Sequence, residues 1–175
     1  VTTGGGPNPH MPNMTSPETA DIVAGKMIAE LRKRQADPKA IQDWLGFSPN
    51  DGAPFDLHEE TLKLSMGFPH MSGREGVPQE VSISEEWFTF VNAVAEELEK
   101  NFPDVSISTL AYHYSQKPPK VTRPHDNVFV RLSSIKCSFS RPMTDTRNAP
   151  FLADVEGWAK ICNRLHIWDY VVNFT

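Results

Sequence analysis

The chain has 175 residues, 39% of them hydrophobic, with 17 Lys and Arg against 22 Asp and Glu for a formal net charge of -5. That size suits one substantial core, a single domain or part of one, and the composition excludes a largely disordered chain. The acidic balance, with no Lys/Arg cluster interleaved with aromatics, argues against nucleic acid as the main partner, and no apolar run approaches the roughly 20 residues that span a bilayer.

Residues 1–16 are rich in Gly, Pro, Asn, Met and Thr without periodicity and read as a loop. Thr15-Ser16-Pro17-Glu18 opens a helix, with a hydroxyl to cap, proline in the first turn and an acid at the positive end of the dipole. Val23, Met27 and Leu31 recur on one face of it, to about Lys33. Ala40 to Ser48 reads as a strand that ends in the turn signal Pro49-Asn50-Asp51-Gly52. Residues 49–82 form a long loop with a possible short helix from Leu57 to Met66.

Ser82-Ile83-Ser84-Glu85 is a capping-box pattern before a helix with Trp87, Val91, Val94 and Leu98 on its apolar stripe. Val105, Ile107 and Thr109 alternate in a buried strand that runs into Tyr112, His113 and Tyr114. Lys117-Pro118-Pro119-Lys120 forces an extended turn, and a second strand follows from Asn127 to Leu132. Phe151, Val155, Trp158 and Cys162 mark a third helix, and Leu165 to Phe174 a last strand.

Strands alternating with amphipathic helices imply a parallel α/β sheet. Four strands and three helices make about half of a TIM-type (β/α)8 barrel, or a small doubly wound sheet, although no GxGxxG follows a strand. The start on valine and the stop close to a strand suggest a fragment, a single incomplete barrel domain.

In parallel α/β folds, ligands meet the carboxyl ends of the strands. That rule selects Asp51 with its neighbour Asn50, then Tyr112, His113 and Tyr114, then Lys136, then Trp168, Asp169 and Tyr170. Two acids and several aromatics on one rim suit a glycan, because carboxylates cleave glycosidic bonds and flat rings stack on pyranose faces. Each residue also has a plainer role. Asp51 fits an Asx-turn, Asp169 an ion pair with a barrel Arg or Lys, and His113 a structural hydrogen bond. His58-Glu59-Glu60 with His70 lacks the i, i+4 histidine pair of a zinc site, so no metal is expected and no cofactor is implied. Cys137 and Cys162 are too far apart for a metal knuckle, and read as buried thiols or a disulfide.

The segments TLAYHYSQKPPK (109–120), NVFVRLSSIKCSFSRPM (127–143), the tryptophan-bearing helix and LHIWDYVVNF (165–174) resemble the family called domain of unknown function 4838, over roughly Phe47 to the end. The resemblance implies a secreted or periplasmic bacterial protein with a carbohydrate-active β/α barrel of the glycoside hydrolase superfamily, similar to α-glucuronidases and hexosaminidases. In that frame Asp51 follows the fourth strand and Asp169 the seventh, the places of acid and nucleophile in many retaining glycosidases. Two features depart from the family: residues 52–81 lack its cysteine pair, and Lys136 stands where an acid is usual. A lysine there would suit an acidic sugar, although a plain surface lysine is the simpler reading. The expectation is a glycoside-hydrolase-like domain with Asp51 as acid, Asp169 as second carboxylate, and Asn50, Tyr112, His113, Tyr114, Lys136, Trp168 and Tyr170 around the sugar; the alternative is a non-catalytic glycan-binding or scaffold module.

Overall fold

Four parallel strands form the centre of the molecule, hydrogen-bonded in the order in which they occur in the chain. They are β3 (Trp44–Gly46), β4 (Ser106–Ala111), β5 (Val128–Ser133) and β6 (Leu165–Trp168), preceded by a two-residue antiparallel pair, β1 (Thr2–Thr3) and β2 (Gly6–Pro7). Among the described residues four α-helices accompany them: α1 (Pro17–Gln35), α2 (Glu59–Leu64), α3 (Ser84–Glu99) and α4 (Ala149–Ala159). The computed structural model describes residues 2–3, 6–7, 12–37, 39–40, 43–49, 56, 59–64 and 83–170.

Register explains how the sheet divides into two faces. Leu45 pairs with Ile107, Ile107 with Val128, Thr109 with Val130, and Leu132 with Ile167. These residues share one face, since side chains alternate along a strand. α3 covers that face: its Trp87 indole donates to the Thr109 hydroxyl at 2.9 Å, and Phe47, next after β3, packs on Trp87 and Phe90 at 5.1 and 5.5 Å between ring centroids. α1 lies against α3, and α4 joins the same layer where Trp158 meets Phe88 at 4.8 Å. Phe88, Phe90, Val91, Val94, Leu98, Ile107, Val130, Leu132 and Trp158 are essentially closed to water, each contributing about 1.5–3 kcal/mol through burial.

The other face carries Trp44, Gly46, Ser106, Ser108, Leu110, Phe129, Arg131, Ser133, His166 and Trp168, in register across the four strands. Ser106, Ser108 and Ser133 are buried on it, whereas Trp44 and Trp168, on the two outer strands, are exposed. A parallel sheet with sequential strand order and helices on one face is wound in one direction, unlike a doubly wound sheet whose order reverses. The architecture is α/β and compatible with part of a β/α barrel.

Several element boundaries differ from the sequence reading. The strand expected over Ala40–Ser48 is confined to Trp44–Gly46, because β4, its partner, starts at Ser106, whose N–H reaches back to the Asp43 carbonyl at 2.9 Å. The expected loop 1–16 contains the β1–β2 pair. The first helix begins as expected, Ser16 Oγ accepting from Thr19 N–H, and runs on to Gln35. Ser82, the capping residue of the expected box, lies outside the described residues; α3 starts at Ser84 with Ile83 before it, Ser84 Oγ donates to the Lys117 carbonyl, and Glu85 bonds a different loop. Cys162 lies past the end of α4, in the turn where its N–H bonds the Trp158 carbonyl at 2.9 Å, but its side chain still joins the core. Both cysteines are free thiols.

Candidate functional site

Glu85 fixes the loop that follows β4. Its carboxylate accepts the backbone N–H groups of Lys120, of Val121 at 2.8 Å and of Thr122 at 3.0 Å. Burial alone would raise this carboxyl, but the Thr122, Val121 and Lys120 N–H groups outweigh it and hold it below the usual glutamate range. The loop is tied to α4 as well, where the Trp158 indole donates to the Gln116 carbonyl at 2.7 Å. Pro118 fits over Gly157 so closely that a Cβ there would stand 2.7 Å from the proline ring. This anchoring positions the Tyr112–Tyr114 segment at the end of the strand.

That segment is a tight turn with His113 in the left-handed region at φ 54°, sparsely populated for a residue with a side chain. Ser115 holds it: its hydroxyl accepts from Tyr112 N–H at 3.2 Å and lies 3.1 Å from the Tyr112 carbonyl. The three rings pack on one another, His113 lying 5.7 Å from Tyr112 and 4.2 Å from Tyr114. His113 is exposed and both tyrosines are half-buried.

A second cluster forms where β5 and β6 end. The Ser134 N–H continues the ladder to the Trp168 carbonyl at 3.1 Å. The Ser134 hydroxyl donates to Asp169 Oδ1 at 2.7 Å and accepts from Tyr170 N–H at 3.1 Å. One serine therefore fixes the carboxylate and the chain that carries it. Ser134 continues the alternation of Val130 and Leu132, and Asp169 that of Leu165 and Ile167, so both stand on the helix side of the rim. Cys137 is their neighbour there: burial raises its thiol pKa, and the Asp169 charge raises it further. Lys136 is exposed.

Trp168 occupies the opposite, open face, with Arg131 beside it. The guanidinium carbon lies 4.8 Å from the centre of the Trp168 ring and 6.0 Å from that of Trp44. Trp44 meets Phe129 edge-on at 5.9 Å, and Phe129 meets His166 at 5.1 Å, so a row of rings crosses the sheet. Trp168 is 44% exposed and Trp44 36%, high for tryptophan. Trp44, Phe129, Arg131 and His166 were not among the candidates from the sequence. The signal was present in Val128-Phe129-Val130-Arg131-Leu132, whose alternation puts a charge on the face opposite three aliphatic residues.

The candidate residues thus divide into groups. Asp169, Trp168 and Tyr170 share the end of β6, Tyr112, His113 and Tyr114 make a separate turn after β4, and Asn50 and Asp51 lie outside the described residues. Among the described residues no group of three or more His, Cys, Asp or Glu is arranged to hold a metal. No described helix is long and apolar enough to cross a membrane. A cleft of about 410 Å³ lined by Leu31, Asp43, Asn101, Phe102 and Asp104 opens at the other, amino-terminal end of the strands.

Fold and rim together define a parallel α/β protein with a ring-lined open sheet face. The chain belongs to the family described as "Domain of unknown function (DUF4838)", which matches residues 4–175 and so extends well ahead of Phe47. No curated protein and no solved structure matches the chain.

Proposed function

We propose that the chain is a carbohydrate-active domain of glycoside-hydrolase type, secreted or periplasmic, that binds a glycan at the carboxyl ends of β3–β6. The observation that carries this reading is the pairing, at the end of β6, of a solvent-facing Trp168 ring with a carboxylate, Asp169, held in one orientation by Ser134. An indole face packs against the C–H face of a pyranose, and a fixed carboxylate hydrogen-bonds hydroxyls or serves as one of the two groups of a glycosidase. In the catalytic form of the proposal, Asp51 is the acid and Asp169 the second carboxylate. Tyr112, His113, Tyr114 and Tyr170 supply polar contacts around the sugar, with Asn50 and Lys136 at its margin.

The second reading, a glycan-binding module without hydrolytic activity, is favoured by a specific observation. Asp169 stands on the helix side of the rim beside Cys137, whereas Trp168 stands on the open face. Turnover by the purified protein on aryl hexosaminides, glucuronides and neutral glycosides, beside its Asp51→Asn and Asp169→Asn variants, separates the two. A rate that drops by orders of magnitude in both variants makes them the catalytic pair. Saturable glycan binding without turnover, undiminished in both variants, makes the domain a binding module.

A further inference from the structure

Arg131 stands in the middle of β5 with Val130 and Leu132, both closed to water, as its neighbours. Its Nε is buried with no hydrogen-bond partner, and among the described residues no carboxylate pairs with it. An arginine so placed is unusual, because a buried guanidinium donor normally finds an acceptor and leaving it without one costs about 1–3 kcal/mol or more. Partial burial lowers its pKa by desolvation; a guanidinium nevertheless remains protonated in proteins.

The two tryptophans contact the guanidinium through their rings, and such contacts leave its in-plane N–H fork directed elsewhere. On the neighbouring strands, β4 presents Leu110 next to Arg131 and Ser108 next to Phe129, and β3 presents Gly46 next to Ser108, with the Trp44 ring edge 4.0 Å from where its Cβ would be. Within the four strands, the only other group on this face able to carry positive charge is His166, whose ring packs on Phe129. A single planar cation suits a planar carboxylate monoanion, which takes two parallel hydrogen bonds and matches its one charge.

We propose that the open face of the sheet recognises an acidic sugar, with the Arg131 fork binding the ring carboxylate and Trp168 stacking on the pyranose. The assignment rests on the glycan reading above and deepens it. Arg131 and Trp168 are then binding residues, and the preference they create is for charge at the ring carboxyl rather than for ring shape.

Calorimetric titration with trisaccharides of glucuronic and galacturonic acid, against their methyl esters and against acetate, tests this. The free acid of one series binds at least about tenfold more tightly than its ester, which matches it in shape but lacks the charge. Arg131→Leu abolishes that difference while leaving binding of the ester; Arg131→Lys, which keeps the charge and loses the fork, retains part of it. Thermal unfolding identifies a variant that has merely lost its fold, and the acid-to-ester ratio in the unaltered protein decides without any variant. Equal binding of acid and ester overturns the inference and leaves the glycan reading standing, as does a preference that survives in a folded Arg131→Leu protein. Acetate binding as tightly as the sugar acid also overturns it, reducing the site to an anion trap. Binding of no sugar at all, in this set or among neutral glycans, overturns both.

Discussion

At the scale of single residues, the rim shows how one small side chain organises a larger group. Ser134 spends its hydroxyl proton on Asp169 and its lone pair on Tyr170 N–H, so the chain after β6 is held by β5. Asp169 in turn acts on Cys137, whose thiol pKa is raised first by burial and then by the carboxylate charge. Asp169→Asn removes that charge, so the pH midpoint for alkylation of Cys137 moves down. The more deeply buried Cys162 serves as the internal reference. An unchanged Cys137 midpoint places the carboxylate elsewhere than beside the thiol. Asp169, Trp168 and the β4 tyrosines were legible as rim residues because strand ends announce themselves through the loss of apolar alternation. Arg131 was not singled out, because a charge inside an apolar run reads as part of the strand until the register shows which face it occupies.

At the scale of elements, the first turn of α3 is where local pattern and tertiary structure disagree. Ser82-Ile83-Ser84-Glu85 has the spacing of a capping box, but Glu85 makes three hydrogen bonds with a loop 35 to 37 residues further on. Charge-assisted bonds from backbone N–H groups are stronger than the one bond back to the helix start that the box offers. Sequence spacing records only the local competitor. Because the folded state holds Glu85 below the pKa of an unfolded glutamate, its contribution is present above that unfolded value, about 4.3, and is lost as pH falls through the folded one. Glu85→Gln accordingly lowers the stability measured by urea unfolding at neutral pH by about 1–3 kcal/mol, and the difference from the unaltered protein narrows on acidification. A constant difference across that range would mean that the charge of Glu85 is not what holds the loop.

At the scale of the whole molecule, the helices lie on one side of a sheet wound in a single direction. The alternation of strands and amphipathic helices was enough to read a parallel sheet, since Val23, Met27 and Leu31 or Trp87, Val91, Val94 and Leu98 needed a surface to cover. What the alternation did not convey was that Trp44, Phe129, His166 and Trp168 line up across four strands, because residues at positions 44, 129, 166 and 168 become neighbours only through strand register. Burial on one face and large exposed rings on the other is the arrangement of a sheet that keeps one side for a core and the other for a partner.

That division makes the four tryptophans a built-in probe of the central claim. Trp87 and Trp158 are buried, and their indole N–H groups are hydrogen-bonded within the helix side. Trp44 and Trp168 face the open side. The most direct measurement follows the four indole N–H signals by nitrogen-15 correlated NMR while acidic and neutral oligosaccharides are added. The account predicts saturable shifts of the Trp168 signal, with Trp44 following when the sugar is acidic, and no movement of Trp87 or Trp158. Saturable shifts confined to Trp87 or Trp158, or no shift with any sugar, would contradict it.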